Sequence, residues 1–288
     1  VTYDAVMAVD LHAHSNFSDG SDSPTELFQL AAQKGLTSLA LTDHDTLEGI
    51  EAARTAADGL GVELIPGTEI SCEWQRGTMH MVVLFLEPGP GPLQDRLIGL
   101  QEARSRRNEV IVERLQDLAM DITYAEILEE AGDGSVGRPH VAAVMVRKGY
   151  AASIPAAFDA YLANGRPAYV ARERLSPEEA IHLSLQSNAV PIVAHPHTLG
   201  LDTAADFAET FAMLQEWGLV GVECIYGEYP ADEQASYADL ARRFGFLPSG
   251  GSDYHGTYKQ GLDLGTGRGW LDVHDSVLDD LRAARPGD

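Results

Sequence analysis

Short apolar runs alternate with amphipathic helical segments along most of this chain, and that rhythm limits the folds it can adopt. The runs "AVMAVDL" (5–11), "LTSLALTD" (36–43), "VELIPGTEIS" (62–71), "MHMVVLFLE" (79–87), "AVPIVAHP" (189–196), "LVGVECIY" (219–226) and "LPSGGSDYH" (247–255) read as strands. Between them lie helical patterns at 23–35, 46–61, 176–188, 203–218 and 232–245. In the first, Ser23 is placed to cap, Pro24 follows at the first helical position, Glu26 completes a capping box and Gly35 ends the helix. Thr46 is the expected cap of the second. Strand, helix, strand in this order predicts an α/β fold with parallel strands.

One stretch breaks the rhythm. After "PGPGP" (88–92), residues 93–162 read as mainly helical, with basic residues at Arg104, Arg106 and Arg107. The expected organisation is therefore a barrel-type domain formed by 1–92 and 170–288, with a helical insertion at 93–169 that serves as a lid or substrate-contacting subdomain.

Composition narrows the function. The chain has 288 residues, with 44 acidic against 20 basic and a formal net charge of −24. So acidic a surface repels polyanions, so no stable complex with long nucleic acid is expected. A phosphate substrate would need a local reversal of sign, which bound divalent cations provide. No apolar run approaches the ~20 residues that span a bilayer. The N-terminus shows no basic segment followed by a long apolar one, so no secretory signal is read. The two cysteines, Cys72 and Cys224, argue against a disulfide framework and fit a reducing cytoplasm. The chain has no GxSxG and no GxxxxGK[ST], which removes support for covalent acyl transfer and for a nucleoside-triphosphate motor.

The chemistry-bearing residues gather where strands stop. His12 and His14 follow the first run; residues at i and i+2 of a strand point the same way. His44 sits between Asp43 and Asp45 after the second, Glu69 ends the third, and His80 opens or lies within the fourth. His195 ends the fifth, and Asp253 with His255 the seventh. In α/β folds the carboxyl ends of the strands form the functional face. Any one of these residues is compatible with a structural role, but six segments aiming imidazole or carboxylate at one place favour a metal centre. The donor mix suits Mn, Zn or Fe better than Ca or Mg.

"DLHAHSNFSDG", "LALTDHDT", "GTEIS", "AHP" and "GSDYH" together resemble the motifs of the polymerase and histidinol phosphatase (PHP) family. "GRPHVAAVMVRKGY" and "YLANGRPAYV" extend the resemblance to the branch of 3',5'-nucleotide bisphosphate phosphatases and a related RNA 5'-exonuclease. The resemblance implies a distorted seven-stranded (β/α) barrel and two to three divalent ions, usually manganese, zinc or iron. Carried over by position, it implies nine ligands. His12, His14, Glu69 and Asp253 would hold one ion. Glu69 would bridge to a second with His80 and His195, and Asp19, His44 and His255 would hold a third. Asp43 and Asp45 are expected to cap or to orient imidazoles rather than to ligate.

The implied reaction is phosphoester hydrolysis by a metal-bridging hydroxide, with no Ser or Cys nucleophile. The expected substrate is a 3',5'-bisphosphonucleotide such as pAp, losing its 3'-phosphate. Alternatives are 5'-to-3' exonuclease action on a short RNA 5' end, histidinol phosphatase activity, and a non-catalytic metal-binding module. Arg138 and His140, at an expected helix start, are candidates for the second phosphate, with Arg166 a weaker one. His197 would bind phosphate or donate a proton. Related sequences often carry Arg where this chain has Thr198, which changes that local contact. His182 and His274 match no motif. Oligomeric state is open.

Overall fold

The computed structural model describes residues 8–132 and 136–287. They form two units, one running to Leu97 and resuming at Arg174, the other spanning Ile98–Glu173. The first unit carries a seven-stranded sheet in the order of the sequence. Its strands are β1 (Ala8–Asp10), β2 (Leu36–Leu41), β3 (Glu63–Ser71), β4 (His80–Leu84), β5 (Val190–Val193), β6 (Gly221–Tyr226) and β7 (Leu247–Gly251). Residues 5–7 of the first expected strand lie outside the described residues. The sheet curls until its edges meet. Leu11 N–H donates to Gly250 O, Asp253 N–H to His12 O, and Ala13 bridges Tyr254 in parallel.

Six of the seven strands keep the expected parallel sense; β4 does not. It runs antiparallel to both β3 and β5. Residues 72–79 between β3 and β4 are too few for a crossover, which needs roughly a dozen or more, so the chain turns back as a hairpin and Cys72 N–H donates to Met79 O. The reversal has a chemical consequence. The N-terminus of β4 stands level with the carboxyl ends of its neighbours, so His80 pairs with Ser71 at the end of β3.

Side-chain alternation builds two apolar layers. Val9 and Leu11, Ala40 and Ile192 join one core with Val277, Leu278 and Leu281. Leu39 and Leu41 face the other way, onto Leu27, Phe28 and Ala31 of α1 (Pro24–Lys34) and Ile50 and Ala53 of α2 (Ile50–Ala57). α1 has the full expected capping box, with Ser23 as N-cap and Gly35 at φ 77° as C-cap. The expected cap at Thr46 is corrected: α2 starts at Ile50 with Gly49 as N-cap and no side-chain cap. Thr46 Oγ1 instead accepts from Glu48 N–H in the turn before it.

The second unit is helical. It contains most of α3 (Pro92–Asp117), then α4 (Tyr124–Ala131), α5 (Arg138–Arg147) and the short α6 (Ile154–Ala157), which runs into a π-turn at Phe158–Leu162. Ile111, Leu115, Ile127, Val141, Val144 and Leu162 form its core. The first unit is completed by α7 (Pro177–Gln186), α8 (Ala204–Glu216), α9 (Ala231–Arg243) and α10 (Asp275–Ala283). α10 was not legible beforehand; His274 is its N-cap, accepting from Ser276 N–H.

Candidate metal centre

The nine side chains expected as ligands, eight at strand ends and Asp19 in the loop after β1, converge with Glu69 as the hub. Glu69 Oε2 lies 3.2 Å from His12 Nε2, His14 Nε2 and His44 Nδ1. Its other oxygen lies 3.0 Å from His80 Nδ1 and 2.9 Å from His195 Nε2. Asp253 Oδ1 reaches His14 Nε2 at 3.3 Å and His255 Nδ1 at 3.4 Å. Asp19 faces His44 Nε2, His255 Nε2 and His14 Nδ1 at 3.5, 3.4 and 3.6 Å. Three overlapping donor groups follow: His12, His14, Glu69, Asp253; His44, Glu69, His80; and His14, Asp19, His44, His255. The grouping differs from the expected one: His14 and His44 each belong to two groups, and His44 rather than His195 completes the group of Glu69 and His80, His195 joining only through its contact with Glu69.

The backbone is bent to achieve this. Asp45, His195 and Asp253 adopt φ of 54°, 26° and 52°. For residues other than glycine, such conformations cost about 1–3 kcal/mol each and are held only by their surroundings. Gly20 lets the Asp19 loop fold back, since a Cβ there would meet His14 O at 2.3 Å. Asp43 secures that loop by accepting from Ser15 N–H, Ser15 Oγ and Ser18 Oγ at 2.7–2.8 Å. Asp45 accepts from Ser71 N–H at 3.0 Å.

The electrostatics favour cations. Burial opposes the charged form of His14, but hydrogen bonds to Asp253 and Glu69 outweigh it and lift its pKa to about 10. His12 rises well above its usual range against the same burial penalty, through the charges of Glu223, Glu69 and Asp253. His195 rises too, burial being outweighed by its bond to Glu69. Burial would push Glu69 up, yet His44, His12 and His80 hold it well below the carboxylate range. Asp253 is depressed in the same way, chiefly by His12. His44 moves down, mainly through burial, so its imidazole is neutral. Its Nδ1 is buried and makes no well-directed hydrogen bond, although Glu69 Oε2 stands 3.2 Å away, and the Nε2 atoms of His12 and His14 face each other at 3.1 Å. The ionised carboxylates that keep these imidazoles protonated concentrate negative charge at one point, and divalent cations would bind there by displacing the ring protons, so the donor set fits them.

Several supporting residues escaped the sequence reading. Glu223 is buried in β6, where Oε1 contacts His12 Nδ1 at 2.9 Å and Oε2 accepts from His195 N–H at 2.6 Å. It orients two imidazoles at once. Its signal was an isolated acid within the apolar run "LVGVECIY". Asp10 is buried and accepts from the N–H groups of His12, Ser252 and Gly265. Tyr226 and Lys259 both reach Asp253 Oδ2. His197 is exposed; its N–H donates to Tyr229 Oη at 3.2 Å, and that hydroxyl lies 2.9 Å from His197 Nδ1. Tyr229 thus holds both the backbone and the ring of His197, leaving Nε2 free of protein partners among the described residues.

Within the helical unit, Arg138 starts α5 and lies over the rings of Phe158 and Tyr169 at 5.7 and 5.5 Å, donating to Leu162 O. His140 Nδ1 accepts from Gly137 N–H, which caps the helix and leaves Nε2 available. Asn108 Nδ2 donates to Val136 O, tying α3 to the turn before Arg138. Beside Asn108, Arg107 is buried, with an unpartnered Nε. Burial and the neighbouring Arg138, Arg172 and Arg104 lower its pKa to about 10. Arg166 is exposed. Cys72 and Cys224 are buried thiols.

The PHP domain family model matches residues 10–161. This chain belongs to the PHP domain family. It is 34% identical over 271 residues to a 5'-3' exoribonuclease of Haemophilus influenzae, covering 93% of this chain and 96% of that one. It is 30% identical to a 3',5'-nucleoside bisphosphate phosphatase of Chromobacterium violaceum, covering 89% and 90%. A solved chain from Bifidobacterium adolescentis, classed as a metal-dependent phosphoesterase, superposes with a TM-score of 0.76 at 27% identity, covering 96% of both chains. The PHP fold is thereby shared along nearly the whole length, as a seven-stranded, nearly closed α/β barrel. Among the described residues no helix is long and apolar enough to cross a membrane.

Proposed function

We propose that this PHP phosphoesterase removes the 3'-phosphate from 3',5'-bisphosphonucleotides of the pAp type. The ligands would be the nine residues around Glu69, holding two to three ions of manganese, zinc or iron. His12, His14, Glu69 and Asp253 form one set; Glu69, His80 and His195 a second; Asp19, His44 and His255 a third. When bound, such ions lower the pKa of water and neutralise phosphoryl oxygens.

The chain's own residues do the rest. Glu223 holds His12 and the His195 backbone in place. His197, its ring held by Tyr229 at Nδ1, would bind a phosphoryl oxygen or donate a proton to the departing 3'-oxygen through Nε2. Arg138, helped by His140, is the anchor for the second phosphate. The observation that carries the substrate assignment is this arginine: in a chain of net charge −24, Arg138 is stacked on two rings and paired with no carboxylate among the described residues. Guanidinium groups bind phosphate through paired donors.

The second reading, 5'-to-3' exonuclease action on short RNA, is favoured by the 34% identity to the Haemophilus enzyme. The same metals and arginine would serve it. The deciving assay follows phosphate and mononucleotide release by the manganese-loaded protein from pAp and from a 5'-phosphorylated RNA oligomer. Phosphate from pAp with little RNA shortening, lost in Arg138→Ala, supports the first reading. Stepwise mononucleotide release with poor pAp turnover makes the exonuclease the function instead.

A further inference from the structure

The two oxygens of Asp253 face different surroundings. Oδ1 looks onto the imidazoles, at 3.6 Å from His12 Nε2 and 3.3 Å from His14 Nε2. Oδ2 accepts from Lys259 Nζ at 2.6 Å and from Tyr226 Oη at 2.8 Å. Lys259 also donates to Tyr226 Oη at 2.8 Å and lies 3.3 Å from Glu228 Oε1. Glu228 is gripped on its other oxygen by Arg268 at 2.6 Å. Arg268 is itself fixed, its N–H donating to Gly227 O. This close approach depends on small residues: a Cβ on Gly227 would meet Ser252 O at 2.6 Å.

An ammonium has three donors. Here two are donated to Asp253 and Tyr226, and the Glu228 carboxylate stands beside the ammonium at 3.3 Å as an ion-pair partner. The Lys259 ammonium is therefore engaged by protein groups on three sides, two of them carboxylates. We propose that Lys259 and Tyr226 clamp Oδ2 of Asp253, so that Oδ1 is the oxygen offered to the metal set, and that Lys259 is a positioning residue rather than a phosphate contact. The clamp also holds Asp253 in its left-handed backbone conformation, which aims the side chain back across the end of β7. The proposal rests on the assignment of Asp253 as a ligand, and not on the identity of the substrate.

The test uses the full-length, manganese-loaded protein as wild type, Lys259→Met, Lys259→Arg and Tyr226→Phe. Manganese retention is measured against a graded chelator, and kcat and KM on the best phosphoester found. Removing a partner that orients a ligand typically costs about 10- to 100-fold in metal affinity or activity. Lys259→Met is expected to lose manganese affinity and kcat within that range, with KM unchanged within about two-fold. Lys259→Arg should recover part of both, and Tyr226→Phe should show a smaller loss in the same direction. If Lys259→Met does not fold, Tyr226→Phe, which retains a ring of the same shape, decides alone. A rise in KM with kcat and retention unchanged would make Lys259 a substrate contact and overturn the clamp. Unchanged retention, kcat and KM would overturn it as well. Wild type that binds manganese yet hydrolyses neither pAp nor RNA sinks the substrate reading while retention still decides the clamp; wild type that takes up no manganese removes both.

Discussion

The strand-end face of the barrel and the helical insertion solve opposite problems. The barrel face gathers buried imidazoles and carboxylates and holds His195 and Asp253 in costly backbone conformations. The insertion is built conventionally, around an apolar core under helices with ordinary caps. Thr123 and Glu126 form a capping box on α4, and Ser153 caps α6. Its buried exception is Arg107 with Asn108. The difference indicates a division of labour. Strands with fixed register bring several imidazoles onto one carboxylate, whereas the insertion buries an apolar core and carries Arg138 at a helix start.

The comparison breaks first, and with the largest effect, at Glu69. Its two oxygens serve five imidazoles, so Glu69→Gln should lower kcat/KM by on the order of 10³-fold or more, about 4 kcal/mol of transition-state stabilisation. Circular dichroism should remain native. A loss below about ten-fold would mean the hub is not central.

Next in size is the insertion's core. Leu115 is fully buried among Ile111, Ile127 and Val141. Leu115→Ala should cost about 2–5 kcal/mol. Amide exchange should accelerate in the helices of 98–173 while the barrel strands keep their protection. Equal acceleration in both units would show that they unfold as one.

Arg138→Met sharpens the contrast further. Loss of hydrogen bonds to a charged group is worth about 1.5–3 kcal/mol, so KM for pAp should rise about 10- to 100-fold with kcat nearly constant. A fall in kcat at constant KM would place Arg138 in the chemistry rather than in binding.

The smallest effect is a pH dependence confined to the insertion. Lys148, with the Thr123 backbone N–H, holds Glu126 down to about 2. A depressed carboxylate stabilises the fold above its unfolded pKa of ~4.3, and that contribution disappears as pH falls toward the folded value. Urea unfolding should therefore find Glu126→Gln less stable than wild type at pH 6, with the gap narrowing by pH 3. A gap that stays constant would show that the ion pair contributes nothing.

What could be read beforehand follows the same division. Strand positions and the residues at their ends were legible because periodicity and residue type are local. The antiparallel sense of β4 was not, since it depends on the length of a connection rather than on a pattern. The Thr46 cap failed because the turn after His44 is bound up with the site, and the helix begins only after Gly49. The roles of Glu223, Tyr226 and Lys259 were not legible for a different reason, although an acid within the apolar run "LVGVECIY" marked Glu223. Each acts on a neighbour brought close only by folding: Glu223 grips His12, which lies 211 positions earlier in the chain.

The central claim is that strand ends far apart in sequence form one multi-ion centre around Glu69. The most direct measurement is metal content by mass spectrometry after manganese loading and desalting, in wild type and Glu69→Gln. The account predicts two to three ions per chain in wild type and loss of at least one in the variant. Equal content in both proteins, or none in wild type, would contradict it.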